Sequence, residues 1–169
     1  MLQLHTTIRY NTTPIHSPAV LGCLNVRSLL RKYDDNIELC RDRRIDLLCL
    51  AETWHDVDSA VLGRLRRAGY NVVDRPRPRA ADDDLSVNLG GVLVMSAADV
   101  SLSPTAVTQP TSIELVCAQA GIVIVVVIYR PGSDAVQQKF FVRRTLHSLL
   151  GKATKTAATR AALFDSNMD

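Results

Sequence analysis

The stretch from Ile45 to Trp54, with the sequence IDLLCLAETW, constrains the fold of this chain more than any other part. Five of the seven residues from Ile45 to Ala51 are Ile, Leu or Cys, and neither Gly nor Pro interrupts them. The run is shorter than a typical helix, so it predicts a buried β-strand. Glu52 follows at the carboxyl end of this strand, where α/β sheets place ligand-binding groups. A carboxylate fixed there suits a hard divalent cation, although a polar residue also simply ends many strands.

A second strand and a helix precede this stretch. Ala19 to Val26 (AVLGCLNV) predicts a short strand that ends near Asn25. Ser28 to Arg41 predicts an amphipathic helix, because apolar residues recur at helical spacing: Leu30, Tyr33, Ile37 and Cys40. A right-handed crossover in such a βαβ unit makes the two strands parallel neighbours. Asn25 and Glu52 should then lie at the same edge of the sheet, as a composite metal site requires.

The rest of the chain predicts further strands and two more helices. The helices run from Ser59 to Ala68 and from Asp134 to Leu150, and Arg75 to Asn88 is a loop. A hairpin around Gln119 to Gly121 joins the last two of five strands. These strands are Tyr70 to Asp74, Gly90 to Met95, Asp99 to Ser103, Ile113 to Ala118 and Ile122 to Tyr129. We therefore expect an α/β (α+β) fold, with a mixed sheet and flanking helices.

Length and cysteine content favour one globular domain inside the cell. The chain has 169 residues and four widely spaced cysteines, which suggest reduced thiols rather than a zinc site or a disulfide framework. The N-terminus lacks the charged start and apolar core of a signal peptide. The longest apolar run, Gly121 to Tyr129, is about half of what a membrane span needs. We expect a soluble, intracellular protein.

The net charge of +3 is unevenly distributed. Residues up to Phe141 include 15 basic and 15 acidic side chains, so the whole excess lies in the last 28 residues. Arginine outnumbers lysine by 16 to 4, which suits bidentate contacts with phosphate. A GC-rich coding sequence would produce the same bias, so the composition alone does not decide between these explanations.

Four short motifs occur in an informative order. They are LNVRSL at Leu24 to Leu29, DLLCLAETW at Asp46 to Trp54, GGVLV at Gly90 to Val94, and VVVIYRPGS at Val125 to Ser133. Together they resemble the endonuclease/exonuclease/phosphatase family, which has the deoxyribonuclease I-like fold. The resemblance is greatest to the apurinic-like endonuclease domain of non-LTR retrotransposons and extends from about Pro18 to Phe141. It implies a partial four-layer α/β sandwich.

The resemblance also implies a chemistry. A Glu at the position of Glu52 binds Mg2+ or Mn2+ in this family, and an Asn at the position of Asn25 orients the metal or the scissile phosphate. Tyr129 matches a tyrosine that contacts the phosphate, although the residue alone is equally explained as an amphipathic ring at a strand end. The implied activity is metal-dependent hydrolysis of DNA phosphodiester bonds, which exposes a 3'-hydroxyl for reverse transcription. DNA is then the expected partner, and a nuclear location would agree with it.

Asp165 and Asn167, in the segment FDSNMD, match the family's Asp-x-Asn motif, in which the Asp positions or deprotonates the attacking water. The preceding KTAATRAALF lacks the β-branched run that leads into a buried strand, so a chance match is the competing explanation. Accordingly, we divide the chain into a loose leader (1–17), a truncated nuclease domain (18–150) and a diverged tail (151–169).

The family's later catalytic Asp and its Ser-Asp-His segment have no counterpart in the sequence. We therefore expected one sheet whose inner face would remain as a large exposed apolar patch, with marginal stability. A catalytically inactive remnant, or a fragment that only binds nucleic acid, is the main alternative to an active nuclease. A phosphatase or deadenylase of the same fold is a third. His55 follows Trp54 and is expected to be a solvent-exposed loop residue.

Overall fold

The computed structural model describes residues 8–10, 19–77, 90–107, 113–121, 123–129 and 160–165. Within these ranges there are nine strands and two helices. In chain order they are β1 (Ile8–Tyr10), β2 (Ala19–Asn25), α1 (Tyr33–Asp42), β3 (Leu47–Ala51), α2 (Ala60–Arg67), β4 (Asn71–Arg75), β5 (Val92–Ser96), β6 (Leu102–Pro104), β7 (Glu114–Ala120), β8 (Val123–Tyr129) and β9 (Arg160–Asp165). The helix predicted from Asp134 to Leu150 lies outside the described residues.

The strands form two mixed sheets. The first has the order β1-β2-β3-β5-β4, and the second has the order β6-β7-β8-β9. In the first sheet β2 and β3 are parallel, as the predicted βαβ unit requires, and the other pairs are antiparallel. In the second sheet β8 and β9 are parallel, while β7 and β8 form the predicted hairpin, with Ala120 opposite Val123.

The two sheets pack face to face around one apolar core. The first sheet contributes side chains from β2, β3, β4 and β5, and the second contributes side chains from β7 and β8. Val94, Ala118 and Val127 are completely buried in this cluster. Burial of an aliphatic side chain of this size stabilises the fold by roughly 1.5–3 kcal/mol, so this interface is a main source of stability.

The expectation of a single sheet with a bare inner face was wrong. The predicted strands Ile113 to Ala118 and Ile122 to Tyr129 correspond to β7 and β8, which belong to a second sheet that covers the inner face of the first sheet. Continuous apolar runs identify buried strands but do not say which sheet a strand joins. Among the described residues, the large apolar side chains that remain exposed are Leu30 and Val57, which are isolated positions.

Both helices flank the outer face of the first sheet. Ile37 and Cys40 of α1 and Leu62 and Leu65 of α2 pack in one buried cluster with Leu50 of β3. The helix α2 matches the predicted helix from Ser59 to Ala68 within one residue at each end. The part of the chain that the structure describes includes no helix long and apolar enough to cross a membrane. The four cysteines are free and buried, as expected for reduced thiols.

The helix α1 begins at Tyr33 and not at Ser28, because the segment before it is hydrogen-bonded to the residues that follow β3. Arg27 and Ser28 both have a positive φ, and the backbone N–H of Ser28 donates to the carbonyl of Glu52 at 2.9 Å. The N–H of Leu29 similarly donates to the carbonyl of Thr53 at 2.8 Å. These bonds attach the end of β2 to the residues that follow β3.

Two strands appear where the sequence pattern is weak. Ile8–Tyr10 lies in the segment expected to be a loose leader, yet it pairs with β2 as an antiparallel edge strand. Arg160–Asp165 has no β-branched residue, yet it pairs with the valine-rich strand β8. A strand can pair through its backbone with the edge of a sheet without an alternating pattern of apolar side chains. Local propensity therefore misses such strands.

Candidate active site

The carboxyl ends of neighbouring strands form one edge of the first sheet. Asn25, the last residue of β2, is the register partner of Ala51, the last residue of β3. Ala51 in turn lies opposite Val92, which also lies opposite Arg75 at the end of β4. Glu52 follows Ala51 directly, so Asn25 and Glu52 lie at the same edge, as the sequence predicted.

The backbone after β3 makes a tight turn that fixes Glu52. Glu52 and Trp54 both have a φ of 52°, in the left-handed region. Such a conformation costs a non-glycine residue on the order of 1 kcal/mol or more, and it persists where the surroundings determine it. Here the N–H of Thr53 donates to the carbonyl of Gly91 at 3.2 Å, and that of Trp54 donates to the carbonyl of Gly90 at 2.7 Å. The GGVLV motif therefore holds the ETW motif in place.

Three of the residues singled out in the sequence meet at one carboxylate oxygen. The side-chain amide of Asn25 donates to Glu52 Oε1 at 2.8 Å, and the hydroxyl of Tyr129 donates to the same atom at 3.0 Å. Tyr129 comes from β8, so this contact joins the two sheets. Its side chain is buried. The two donors come from different strands, and together they fix the orientation of the carboxylate.

The surroundings of Tyr129 keep its hydroxyl protonated. Burial, the negative charge of Glu52 and the hydrogen bond to that carboxylate together raise the pKa of Tyr129 to about 12. The charge of Glu114 acts in the same direction, and that of Arg77 opposes it. At neutral pH the hydroxyl is therefore a donor, as its contact with Glu52 requires.

The wild type should lose stability at alkaline pH as Tyr129 loses its proton. Replacing Tyr129 by phenylalanine should remove this part of the loss. The folded-state pKa lies above the ordinary value of about 10, so the native state holds this proton more tightly than the unfolded state does. The stabilisation is complete below about pH 10 and is lost as the pH rises towards the folded pKa. The free energy of unfolding, measured by urea denaturation across this range, should decline less steeply in Tyr129→Phe than in the wild type.

The control for this measurement is Tyr33→Phe, which removes a tyrosine that donates to the carbonyl of Arg64 and has no contact with Glu52. It should show the same alkaline decline as the wild type. An equal decline in Tyr129→Phe and Tyr33→Phe would contradict the role given to the Tyr129 proton.

Asp165 reaches the same edge of the second sheet as Tyr129. The strands β8 and β9 are parallel, and Asp165 at the end of β9 is the register partner of Ile128, one residue before Tyr129. The strand therefore leads to the site edge, as the Asp-x-Asn match requires. Asn167 lies outside the described residues. The catalytic roles of both residues stay predictions.

The residues at Glu52 fit a magnesium ion. Asn25 Oδ1 is buried and has no hydrogen-bond partner, so this oxygen is available as a metal ligand beside the Glu52 carboxylate. Mg2+ prefers oxygen ligands and commonly uses one or two protein carboxylates, with water completing its coordination. Within the described ranges, no group of three or more His, Cys, Asp or Glu side chains is arranged to hold a metal. The Glu52 carboxylate and Asn25 Oδ1 would hold such an ion.

Glu114 and Arg77 form an ion pair beside this site that sequence reasoning missed. Glu114 is buried on β7 and is the register partner of Tyr129. One of its oxygens accepts from Arg77 Nε, and the other accepts from the backbone N–H of Gly91. The sequence did contain a signal, because Glu114 is a lone carboxylate in an apolar strand. A buried charge of this kind needs a partner.

His55 is buried, which corrects the expectation that it is a solvent-exposed loop residue. Its Nδ1 lies 2.6 Å from Thr53 Oγ1, and its Nε2 lies 3.2 Å from Asp74 Oδ2 on β4. Arg66 also contacts Asp74, at 3.5 Å. The polar partners come from a distant strand, so the local sequence around His55 did not reveal them. The cluster supports the turn that carries Glu52.

Comparison with solved structures identifies the architecture. A 3'-5' exonuclease (NExo) from Neisseria meningitidis matches with a TM-score of 0.59 and 18% identity, over 86% of this chain and 56% of that one. An AP endonuclease from Archaeoglobus fulgidus matches with a TM-score of 0.54 and 20% identity, over 78% and 51% of the respective chains. The chain has the deoxyribonuclease I-like fold. The fold class expected from the sequence is therefore confirmed.

The deoxyribonuclease I-like fold also appears in a third neighbour, the human Nocturnin catalytic domain, with a TM-score of 0.55 and 17% identity, over 79% of this chain and 55% of that one. This chain thus spans a little more than half the length of these three structures. No protein-family model matches the sequence, and no curated protein does.

Proposed function

We propose that this chain is a divalent-metal-dependent phosphodiesterase that nicks DNA, of the type found in non-LTR retrotransposons. The observation that carries the proposal is the convergence of Asn25 and Tyr129 on one oxygen of Glu52, at 2.8 and 3.0 Å. The three residues come from separate strands and from both sheets. The class of activity is supported by neighbours whose names describe an exonuclease and an AP endonuclease.

Each residue has a defined task in this proposal. The Glu52 carboxylate and Asn25 Oδ1 would hold Mg2+ or Mn2+, and the bound ion would neutralise charge on the scissile phosphate. The protonated hydroxyl of Tyr129 holds the carboxylate in the orientation that binding needs, and its contact with the phosphate remains an expectation from the resemblance. Asp165 would position or deprotonate the attacking water, which the register of β9 beside β8 supports. Asn167 would assist it.

The retrotransposon assignment rests on the four sequence motifs alone. In the structure, the ETW motif donates to the carbonyls of the GGVLV motif, and the end of the LNVRSL motif donates to the backbone of the ETW motif. DNA as the substrate is supported by a neighbour of the same fold that is described as bound to a product DNA hairpin. A nuclear location agrees with such a substrate and stays a prediction.

The proposal is tested by nicking of supercoiled plasmid DNA. Purified protein, shown to be folded by a cooperative thermal transition, should convert the plasmid to its open circular form with Mg2+ or Mn2+, and EDTA should stop the conversion. Hydrolysis that leaves a 3'-hydroxyl predicts that a DNA polymerase extends the nick without prior end repair.

Two results would count against this function. Folded protein that binds the plasmid but does not nick it with either metal would favour the alternative, a catalytically inactive domain that binds nucleic acid. Nicks that a polymerase extends only after removal of a 3'-phosphate would contradict the proposed chemistry, even though a nuclease would be present.

A further inference from the structure

We propose that Arg77 is a phosphate-contact residue, which Glu114 anchors beside Tyr129 so that its guanidinium binds a backbone phosphate of the nucleic acid next to Glu52. The inference rests on the proposed function for the nature of the ligand. It adds a residue that the sequence motifs do not include, because Arg77 lies in the segment RPRPR, which was expected to be only a loop.

The first argument is the way in which Glu114 holds the guanidinium. Both oxygens of this buried carboxylate are used, one by Arg77 Nε and the other by the N–H of Gly91. The guanidinium carries five N–H donors, and this contact engages Nε alone. Glu114 therefore fixes the Nε side of the guanidinium, while Nη2 makes no hydrogen bond.

The second argument is an unsatisfied donor. Arg77 Nη2 is buried and has no hydrogen-bond partner, while 28% of the Arg77 side chain remains exposed. An arginine that served only to neutralise Glu114 would leave this charged donor without a partner, at a cost that folded proteins normally avoid. Because part of the side chain is exposed, a phosphate can approach the arginine, and a small rotation of the guanidinium would bring Nη2 to a phosphate oxygen. The planar guanidinium matches phosphate in a bidentate geometry.

The third argument is location. Arg77 follows Arg75, which lies in the row of strand ends that includes Val92, Ala51 and Asn25. Its partner Glu114 lies opposite Tyr129 in the second sheet. The guanidinium thus belongs to the edge that carries Glu52.

The charge balance at this edge agrees with the proposal. Glu52 and Glu114 are both carboxylates, and Arg77 offsets the charge of Glu114. An anionic backbone that approaches the remaining charge of Glu52 is repelled unless a cation offsets it. A bound metal ion would supply that positive charge, while the guanidinium would supply hydrogen-bond donors for the phosphate.

The test is the salt dependence of DNA binding, measured in EDTA so that it does not depend on cleavage. A fluorescein-labelled short duplex is titrated with protein at several KCl concentrations, and log K is plotted against log salt. Arg77→Gln is made together with Glu114→Gln, because the single change would leave a buried, unpaired carboxylate. The wild type is the reference, since it retains the anchored arginine and the double change leaves the net charge of the protein unchanged. Thermal unfolding checks that each variant is folded.

Loss of one phosphate contact should reduce the magnitude of the salt slope by about 0.9 between the reference and the double variant. The affinity at low salt should fall by about tenfold. The matched control is Arg43→Gln, which removes an exposed arginine at the C-cap of α1, before β3 begins. The length of β3, five residues, separates it from Glu52 by roughly 17 Å. Its slope should equal that of the wild type.

Failure of this inference differs from failure of the proposed function. Equal slopes for the reference and the double variant would overturn the role of Arg77, whether or not the wild type nicks DNA. A wild type that does not bind the duplex would also overturn the role of Arg77. If the slope changes as expected but the wild type does not nick plasmid, Arg77 is supported as a phosphate contact and the nuclease activity is refuted.

Discussion

Replacement of Glu52 by glutamine is expected to lower the rate of metal-dependent nicking on the order of 10³-fold or more. Glutamine has nearly the same shape, and its amide oxygen can still accept from Asn25 Nδ2 and the Tyr129 hydroxyl, so the fold should be preserved. The change removes the negative charge beside the unpartnered Asn25 Oδ1. In the proposed function, binding of Mg2+ and the neutralisation of the phosphate would both depend on that charge.

The measurement compares initial nicking rates of wild type and Glu52→Gln over a range of Mn2+ concentrations. Glu38→Gln is the matched control, because Glu38 is an exposed glutamate on α1 and its removal makes the same change in net charge. This control should nick at the wild-type rate. Equal rates for Glu52→Gln and Glu38→Gln would show that the nuclease activity in the preparation does not arise at Glu52.

The position of Glu52 and Asn25 was predictable from the sequence for a simple geometric reason. Two strands joined by a helical crossover run parallel, so the residues that end them meet at one edge. The apolar runs of β2 and β3 located those ends within one residue. Tyr129 was different, because its strand belongs to the other sheet. Only the resemblance to a family connected it with Glu52 before the structure showed the 3.0 Å contact.

The parts that could not be predicted are those formed by pairing over long sequence distances. Arg77 and Glu114 are separated by 37 positions, and His55 and Asp74 by 19, so no local periodicity relates them. The assignment of β7 and β8 to a second sheet has the same origin. Both strands are apolar on both faces. A central strand of either sheet would show the same pattern. Only the pattern of backbone pairing distinguishes these possibilities.

The start of α1 shows how a functional turn can override a local pattern. The spacing of apolar residues favoured a helix from Ser28, but Ser28 and Leu29 donate instead to the backbone around Glu52. Arg27 and Ser28 adopt a positive φ in consequence. Departures from local preference of this kind are expected where the chain builds a site.

Replacement of Gly91 by alanine is expected to have the largest effect on stability, roughly 2–4 kcal/mol. Gly91 has a φ of 93°, in the region that disfavours residues with a Cβ. A Cβ here would also press on Thr53 Oγ1 and lie 3.2 Å from His55 Nδ1. The N–H of Gly91 donates to Glu114 and its carbonyl accepts from Thr53. A distorted backbone at Gly91 would therefore disturb both of these hydrogen bonds, which lie beside Glu52. Nicking should fall as well, even at temperatures where the variant is folded.

Two other glycines separate the causes in urea unfolding experiments. Gly69 has a φ of 90° but no atom within 4 Å of an added Cβ, so Gly69→Ala should show the backbone cost alone, about 1–2 kcal/mol. Gly63 lies inside α2, where alanine should stabilise the protein by roughly 0.5–1 kcal/mol. The difference between Gly91→Ala and Gly69→Ala then measures the contact of the GG motif with the Thr53 and His55 side chains. If Gly91→Ala costs no more than Gly69→Ala and leaves the nicking rate unchanged, the turn that carries Glu52 does not depend on this contact. In that case the backbone hydrogen bonds alone are sufficient to position the carboxylate.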